Sequence, residues 1–97
     1  MYLRIHSSPN GEVVAVCDAE LIGRKLAQGN LVLDLGKYAD FYKGEKVAAP
    51  QAASALRGAR NINIVGKKSL AAAKDAGLDV SGAISISGVP HLQVYRI

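Results

Sequence analysis

The chain opens in a two-residue rhythm. From Tyr2 to His6 apolar and polar positions alternate as in a half-buried strand, and Ser7-Ser8-Pro9-Asn10-Gly11 then gathers turn-forming residues. Glu12 to Cys17 resumes a Val-rich apolar run, so the two segments predict an N-terminal antiparallel hairpin. Asp18 stands where a helix N-cap belongs, because its carboxylate can accept the free N–H groups of a following turn. Leu21, Ile22 and Leu26 then fall on one side at helical spacing, with Arg24, Lys25 and Gln28 opposite and Gly29 as a stop. This predicts a short helix, weakened by Gly23.

Asn30 to Leu35 alternates again, with Leu31, Leu33 and Leu35 on one face of a predicted strand. Gly36 to Gly44 holds Tyr38, Phe41 and Tyr42 and reads as a surface loop or a single turn. Pro50 suits the first turn of a helix that runs through Ala53 and Leu56 and stops at Gly58. Asn61 to Val65 is the next strand, followed from Gly66 by an Ala-rich helix capped by Ser69 and ended by Gly77. Ala83 to Ser87 and Leu92 to Ile97 close the chain as two more strands. The strand–helix–strand segment from Asn61 to Ser87 has the length of a crossover between parallel strands, whereas the opening hairpin is antiparallel. The fold class predicted is therefore α/β with α+β character: one domain over residues 1–97, a mixed sheet, and helices packed on it.

Composition agrees with a single packed core. The 97 residues are 49% hydrophobic and 21% charged, which is globular rather than disordered composition. Aromatic residues make up only 5%, so Val, Ile, Leu and Ala must fill the core. A lone cysteine, Cys17, cannot form an internal disulfide, and the N-terminus has no apolar signal-peptide core. No run approaches a membrane span. These features predict a cytoplasmic protein without membrane contact. The formal net charge of +4 permits an anionic partner such as RNA, although the basic residues are scattered among acidic ones.

Four segments could carry chemistry. Val65-Gly66-Lys67-Lys68-Ser69 invites comparison with a phosphate loop, but Asn61 stands where that motif needs its first Gly and Lys68 where it needs Ser or Thr. What remains is a helix start with Lys67 and Lys68, which can hold an anion or simply be capped and solvated. Gly88-Val89-Pro90-His91-Leu92-Gln93 breaks a strand between Gly88 and Pro90, and places His91 and Gln93 on one strand face. A neutral-range titrating group beside an amide can line a pocket; His91 can equally serve only to cap a turn. Cys17 and Asp18 end a strand, a frequent address for functional groups, yet Cys17 also follows the core alternation of Val13 and Ala15. The candidates for catalysis are thus His91, Cys17 and Asp18. No ligand pair has the close spacing of a metal site, and no cofactor motif is present. Lastly, Tyr38, Phe41 and Tyr42 interleave with Lys37, Lys43 and Lys46, as in surfaces that stack bases and neutralise phosphates, or they seal a core edge. Arg57, Arg60, Lys67 and Lys68 would extend such a basic surface.

The ordered set of motifs resembles a small archaeal family catalogued as domain of unknown function 424. The resemblance rests on Met1-Tyr2-Leu3-Arg4-Ile5, Val16-Cys17-Asp18 with Glu20-Leu21, Gly23, Phe41-Tyr42-Lys43-Gly44-Glu45, Asn63-Ile64-Val65-Gly66 and Gly88-Val89-Pro90-His91. It spans the chain, and Gly-Val-Pro-His-x-Gln is its most specific part. Leu92 departs from it, standing where a small residue such as Ala is expected. The resemblance implies an archaeal cytoplasmic protein and supplies no activity. It groups Cys17, Asp18, Asn63, Gly66, His91 and Gln93 as matching positions, and makes Gly88, Pro90, His91, Gln93, Asn63 and Gly66 the expected ligand-binding set.

Three functions compete on these grounds. The first is a non-catalytic module contacting RNA or a ribonucleoprotein, through Phe41, Tyr42, Lys43, Arg60, Lys67 and Lys68. The second is a small-molecule enzyme or sensor built on His91 and Gln93. The third is an assembly protein that forms a homo-oligomer by pairing Gln93-Val94-Tyr95-Arg96-Ile97 with another chain at an exposed strand edge.

Overall fold

A computed structural model describes residues 1–95 of the chain. Its strands are β1 (Tyr2–Ser8), β2 (Gly11–Cys17), β3 (Lys25–Gln28), β4 (Leu31–Asp34), β5 (Glu45–Lys46), β6 (Ile62–Val65), β7 (Ile84–Ile86) and β8 (Val89–Val94). Its helices are α1 (Ala39–Tyr42), α2 (Ala49–Leu56) and α3 (Lys67–Asp75). Six strands form one mixed sheet in the order β5-β1-β2-β6-β8-β7, while β3 and β4 pair as a separate hairpin. This is an α+β fold with a mixed sheet, as the alternating pattern predicts.

The opening hairpin pairs Tyr2 with Cys17 through to Ser8 with Gly11. β2 and β6 form the parallel pair, with Val14 opposite Ile62 and Cys17 opposite Val65. The strands joined by α3 do run in the same direction. They are not neighbours, because β8 enters between them and pairs antiparallel with both. The last hairpin turns at Ser87 and Gly88, both at positive φ (51° and 80°), as a two-residue turn of the primed type requires. Gly88 serves that turn, and Pro90 lies inside β8 rather than at a break between strands.

Strand alternation sorts the sheet into two faces. Val14, Val16, Ile62, Ile64 and Leu92 pack against Ala52 and Leu56 of α2 and Ala72 and Ala73 of α3. The small alanines let both helices lie close to the sheet. On the other face Ala15, Cys17 and Val65 pack under Leu26, Leu35 and Tyr42. That face is covered only by the short β3–β4 hairpin and the single-turn α1. Arg4 and His6 reach from β1 to hold α1, donating to the backbone oxygens of Asp40 and Phe41 at 2.6 and 2.7 Å.

One predicted element is corrected. The segment after Asp18 is not a helix to Gln28 but a 3-10 turn, Ala19–Leu21, followed by β3. Leu21 and Leu26 are both buried, yet from different elements. Their helical spacing was met by a turn and a strand delivering two residues to one core. Cross-strand pairing of Leu26 with Leu33 decides the strand.

The segment expected to pair with another chain belongs to β8, which lies between β6 and β7 in the strand order. β7 pairs only with Val89 to His91, so Gln93 and Val94 have β6 on one side and no strand partner on the other among the described residues. Arg96 and Ile97 fall outside the described residues.

Candidate functional site

The polar residues of the second face converge where its cover stops short. In the sheet register Asn63 of β6 lies opposite Gln93 of β8, and Val65 opposite His91. Side chains two apart share a face, so Asn63, His91, Gln93 and Tyr95 form one floor. Val32 and Leu33 of β4, with Tyr38, Phe41 and Tyr42, make the opposing wall. Together they enclose an open cleft of about 370 Å³.

Hydrogen bonds fix the proton positions on that floor. Tyr42 is 3% exposed, and burial pushes its hydroxyl pKa up, so it remains a neutral donor. Its O–H donates to Asn63 Oδ1 at 2.8 Å. The same oxygen lies 3.1 Å from His91 Nε2, which therefore carries a proton and donates. Asn63 Nδ2 donates to the Tyr95 hydroxyl at 3.4 Å, and Gln93 Nε2 reaches that hydroxyl at 3.5 Å. Burial holds the His91 pKa below its ordinary 6.5, so the ring is neutral at pH 7 with Nδ1 as its acceptor. Among the described residues Nδ1 has no partner, and no buried side-chain nitrogen or oxygen is left unpartnered. Nδ1 therefore meets solvent where His91 does, at the cleft.

Asp18 and Gly66 belong to a different structure. Asp18 does not cap the turn that follows it. Its carboxylate crosses to α3 and accepts from Lys68 N (3.1 Å), Ser69 N (2.8 Å) and Ser69 Oγ (2.7 Å). The helix start that could have held an external anion is already occupied by the protein's own carboxylate. Gly66, at φ +108°, makes room for it: a Cβ there would run into the Asp18 carboxylate. Gly66, Gly88, Lys67 and Lys68 line a second hollow with Asp18, apart from the cleft. Lys68 sits 3.8 Å from Glu20, both side chains being well exposed.

The expected site is thereby divided. Of the anticipated binding residues, Asn63, His91 and Gln93 meet in the cleft; Gly66 and Gly88 do not. Pro90 shapes the strand, its carbonyl accepting from Gly66 N at 2.9 Å. Cys17 is fully buried, its thiol donates to the Asp18 carbonyl, and desolvation pushes its pKa up to about 12. A thiol so placed is a small core side chain, not a nucleophile. With Asp18 committed to α3, His91 alone of the three catalytic candidates opens on the cleft.

The anticipated RNA-contact residues do not form one surface either. Phe41 lines the cleft, while Arg60 lines a hollow with Ile5 and Glu12. Tyr42 faces inward and cannot stack a base. Lys43 is exposed at the end of α1. Tyr38, expected with Phe41 and Tyr42 among the aromatics that stack bases, and Tyr95, which was not expected, are both more than half exposed at the cleft (54% and 55%). The alternation that paired 91 with 93 extends to 95, so Tyr95 was within reach of the sequence. That Tyr38 faces the same cleft as His91 and Gln93 required the tertiary structure.

Comparison with known proteins agrees over nearly the whole chain. No curated protein matches it. A crystal structure of an uncharacterized conserved protein from Methanopyrus kandleri is similar, with 28% identity and a TM-score of 0.82 over 99% of this chain and 93% of that one. The family described as "Protein of unknown function (DUF424)" matches residues 5–97. The chain belongs to that family.

Proposed function

We propose that the protein is a non-catalytic binding module that takes an unpaired base of RNA, free or within a ribonucleoprotein, into the cleft over β6 and β8. The observation that carries this reading is the cleft itself: aromatic walls above a floor of amide, imidazole and hydroxyl groups. Flat rings stack on exposed Tyr and Phe faces, and polar groups beneath them read a base edge. Lys37 lies 5.4 Å over the Tyr38 ring, which places an ammonium at the rim where a phosphate would pass. The net charge of +4 favours the same partner. In this reading the protein works in an archaeal cytoplasm, as its likeness to the Methanopyrus kandleri protein favours.

A small-molecule enzyme or sensor is the second reading, favoured by the free Nδ1 of His91. Acid–base chemistry would ask for a second titrating group, and the cleft lining adds only tyrosines. The test is binding of single-stranded RNA across a salt series. Tyr38→Ala and Tyr95→Ala should each weaken affinity by about 1–3 kcal/mol, the scale of one base–aromatic stack. Affinity should also fall with rising salt. Absence of binding even at low salt would remove the proposal.

A further inference from the structure

The outer edge of β1 is covered for only part of its length. β5 pairs with Tyr2 and Leu3 and goes no further, so Arg4 to Ser8 have β2 on one side and no strand on the other. In an antiparallel pair, residues alternate between exchanging hydrogen bonds with the partner and pointing away from it. Val14, opposite Ile5, turns its N–H to Asn61 O at 2.9 Å, away from β1. Ile5 therefore turns its own N–H and C=O away from β2, and Ser7, two residues on, does the same. Met1 has the same parity, and its carbonyl accepts from Val47 N at 2.8 Å. Among the described residues nothing reaches the corresponding groups of Ile5 and Ser7. These four groups are a template for another strand. Neither a proline nor a bulge blunts it, since the register against β2 runs one to one from Tyr2 to Ser8.

The side chains beside that edge describe the strand it takes. Ile5 is 48% exposed and is the outermost member, in strand order, of a hollow of about 340 Å³. Val14 and Ala55 give the hollow its apolar part, and Arg57 and Arg60 line it just past the end of α2. Neither arginine has an ion-pair partner among the described residues. Glu12 also lines the hollow, and its carboxylate accepts from Ser7 Oγ at 3.5 Å. Two cations against one carboxylate leave the lining positive.

We propose that the open edge of β1 adds an extended acidic peptide as a further strand, with an apolar side chain beside Ile5 and a carboxylate facing Arg57 and Arg60. A residue paired with Ile5 places its side chain on the same face, and the residue two positions on shares it. Main-chain bonds to Ile5 and Ser7 then give affinity, and the hollow gives specificity. A second copy of this chain fits less well. It carries the same net charge of +4 and would bring like charges to the shared edge. A nucleic acid lacks the alternating N–H and C=O groups that this edge matches. Val14 belongs to the helix-covered face, so the hollow lies opposite the cleft and is a separate contact.

The test titrates the isotope-labelled whole protein with blocked seven-residue peptides, Ser-Thr-Xaa-Thr-Glu-Thr-Ser, where Xaa is Val, Ile, Leu or Phe. At least one should bind and slow solvent exchange of the Ile5 and Ser7 amide protons. Methylating alternate backbone nitrogens of that peptide should abolish binding. Its Glu replaced by Lys, or Arg60→Glu in the protein, should each weaken binding about threefold, the scale of an exposed ion pair. Ser7→Pro removes one outward N–H and no bond to β2, and should cost about fivefold, the weight of one hydrogen bond. If that variant fails to fold, the methylated peptide makes the same test without touching the protein.

No binding of any of the four peptides at millimolar concentration overturns the proposal, as does binding that methylation leaves unchanged. Equal binding of the Lys peptide overturns the acidic partner. Protection of Ile5 and Ser7 that grows with protein concentration alone assigns the edge to a second copy instead, and protection by single-stranded RNA assigns it to RNA. Base binding at the cleft is read separately, through Tyr38→Ala and Tyr95→Ala, and stands or falls on its own.

Discussion

The two faces of the sheet are built from the same strands and solve different problems. One is dry: Val16, Leu56, Ile64 and Leu92 are almost wholly inaccessible beneath α2 and α3. The other is dry only near β2, and over β6 and β8 it carries Asn63, His91 and Gln93 beside open space. The difference lies in what covers them. Two full helices seal a face; a hairpin of four-residue strands and a one-turn helix cannot. The first face is sealed core and the second keeps an open cleft, within one layer of backbone.

That contrast can be broken by mutation. Leu56→Ala on the sealed face should cost about 2–5 kcal/mol of unfolding free energy in a urea titration, since it leaves a cavity in a packed core. Asn63→Ala on the open face should cost less, about 1–3 kcal/mol, chiefly by orphaning the Tyr42 hydroxyl. A larger loss for Asn63→Ala than for Leu56→Ala would refute the division of roles.

The smallest effect is a pH slope. His91 has a folded pKa below the ordinary 6.5 because burial disfavours its charged form. The unfolded chain then takes up the proton first, so stability is complete above pH 6.5 and declines as pH falls through the folded value. His91→Gln should flatten this part of the profile. Asp34 and Asp79, with pKa values held below 3.8 by hydrogen bonds, act only in more acidic solution. An unchanged slope in the variant would assign the titration elsewhere.

Much of the fold follows from periodicity visible in the chain. The N-terminal hairpin, β6, α2 and α3 each have a run long enough, or punctuated clearly enough, for the period to be read. The segment from Asp18 to Gln28 misleads because three apolar residues satisfy helical spacing without forming a helix; a partner strand decides their fate. In the site, His91 and Gln93 share a face by local alternation alone. Asn63 joins them only through the register of β6 against β8, which depends on β8 returning between β6 and β7. Tyr38 and Val32 arrive from a layer whose placement no local pattern encodes. Asp18 was legible as a cap but not as the cap of which helix.

That cap has a consequence for the order of events in folding. The carboxylate that organises the start of α3 stands 51 positions before Ser69 in the chain. It reaches the helix only once β2 and β6 lie side by side, since Asp18 follows one strand and Gly66 the other. A cap drawn from neighbouring sequence is present as soon as a helix flickers into being; this one is withheld until a long loop has closed. The first turn of α3 is thus a non-local contact in helical form, and it ties the fate of a surface helix to the assembly of the central strands.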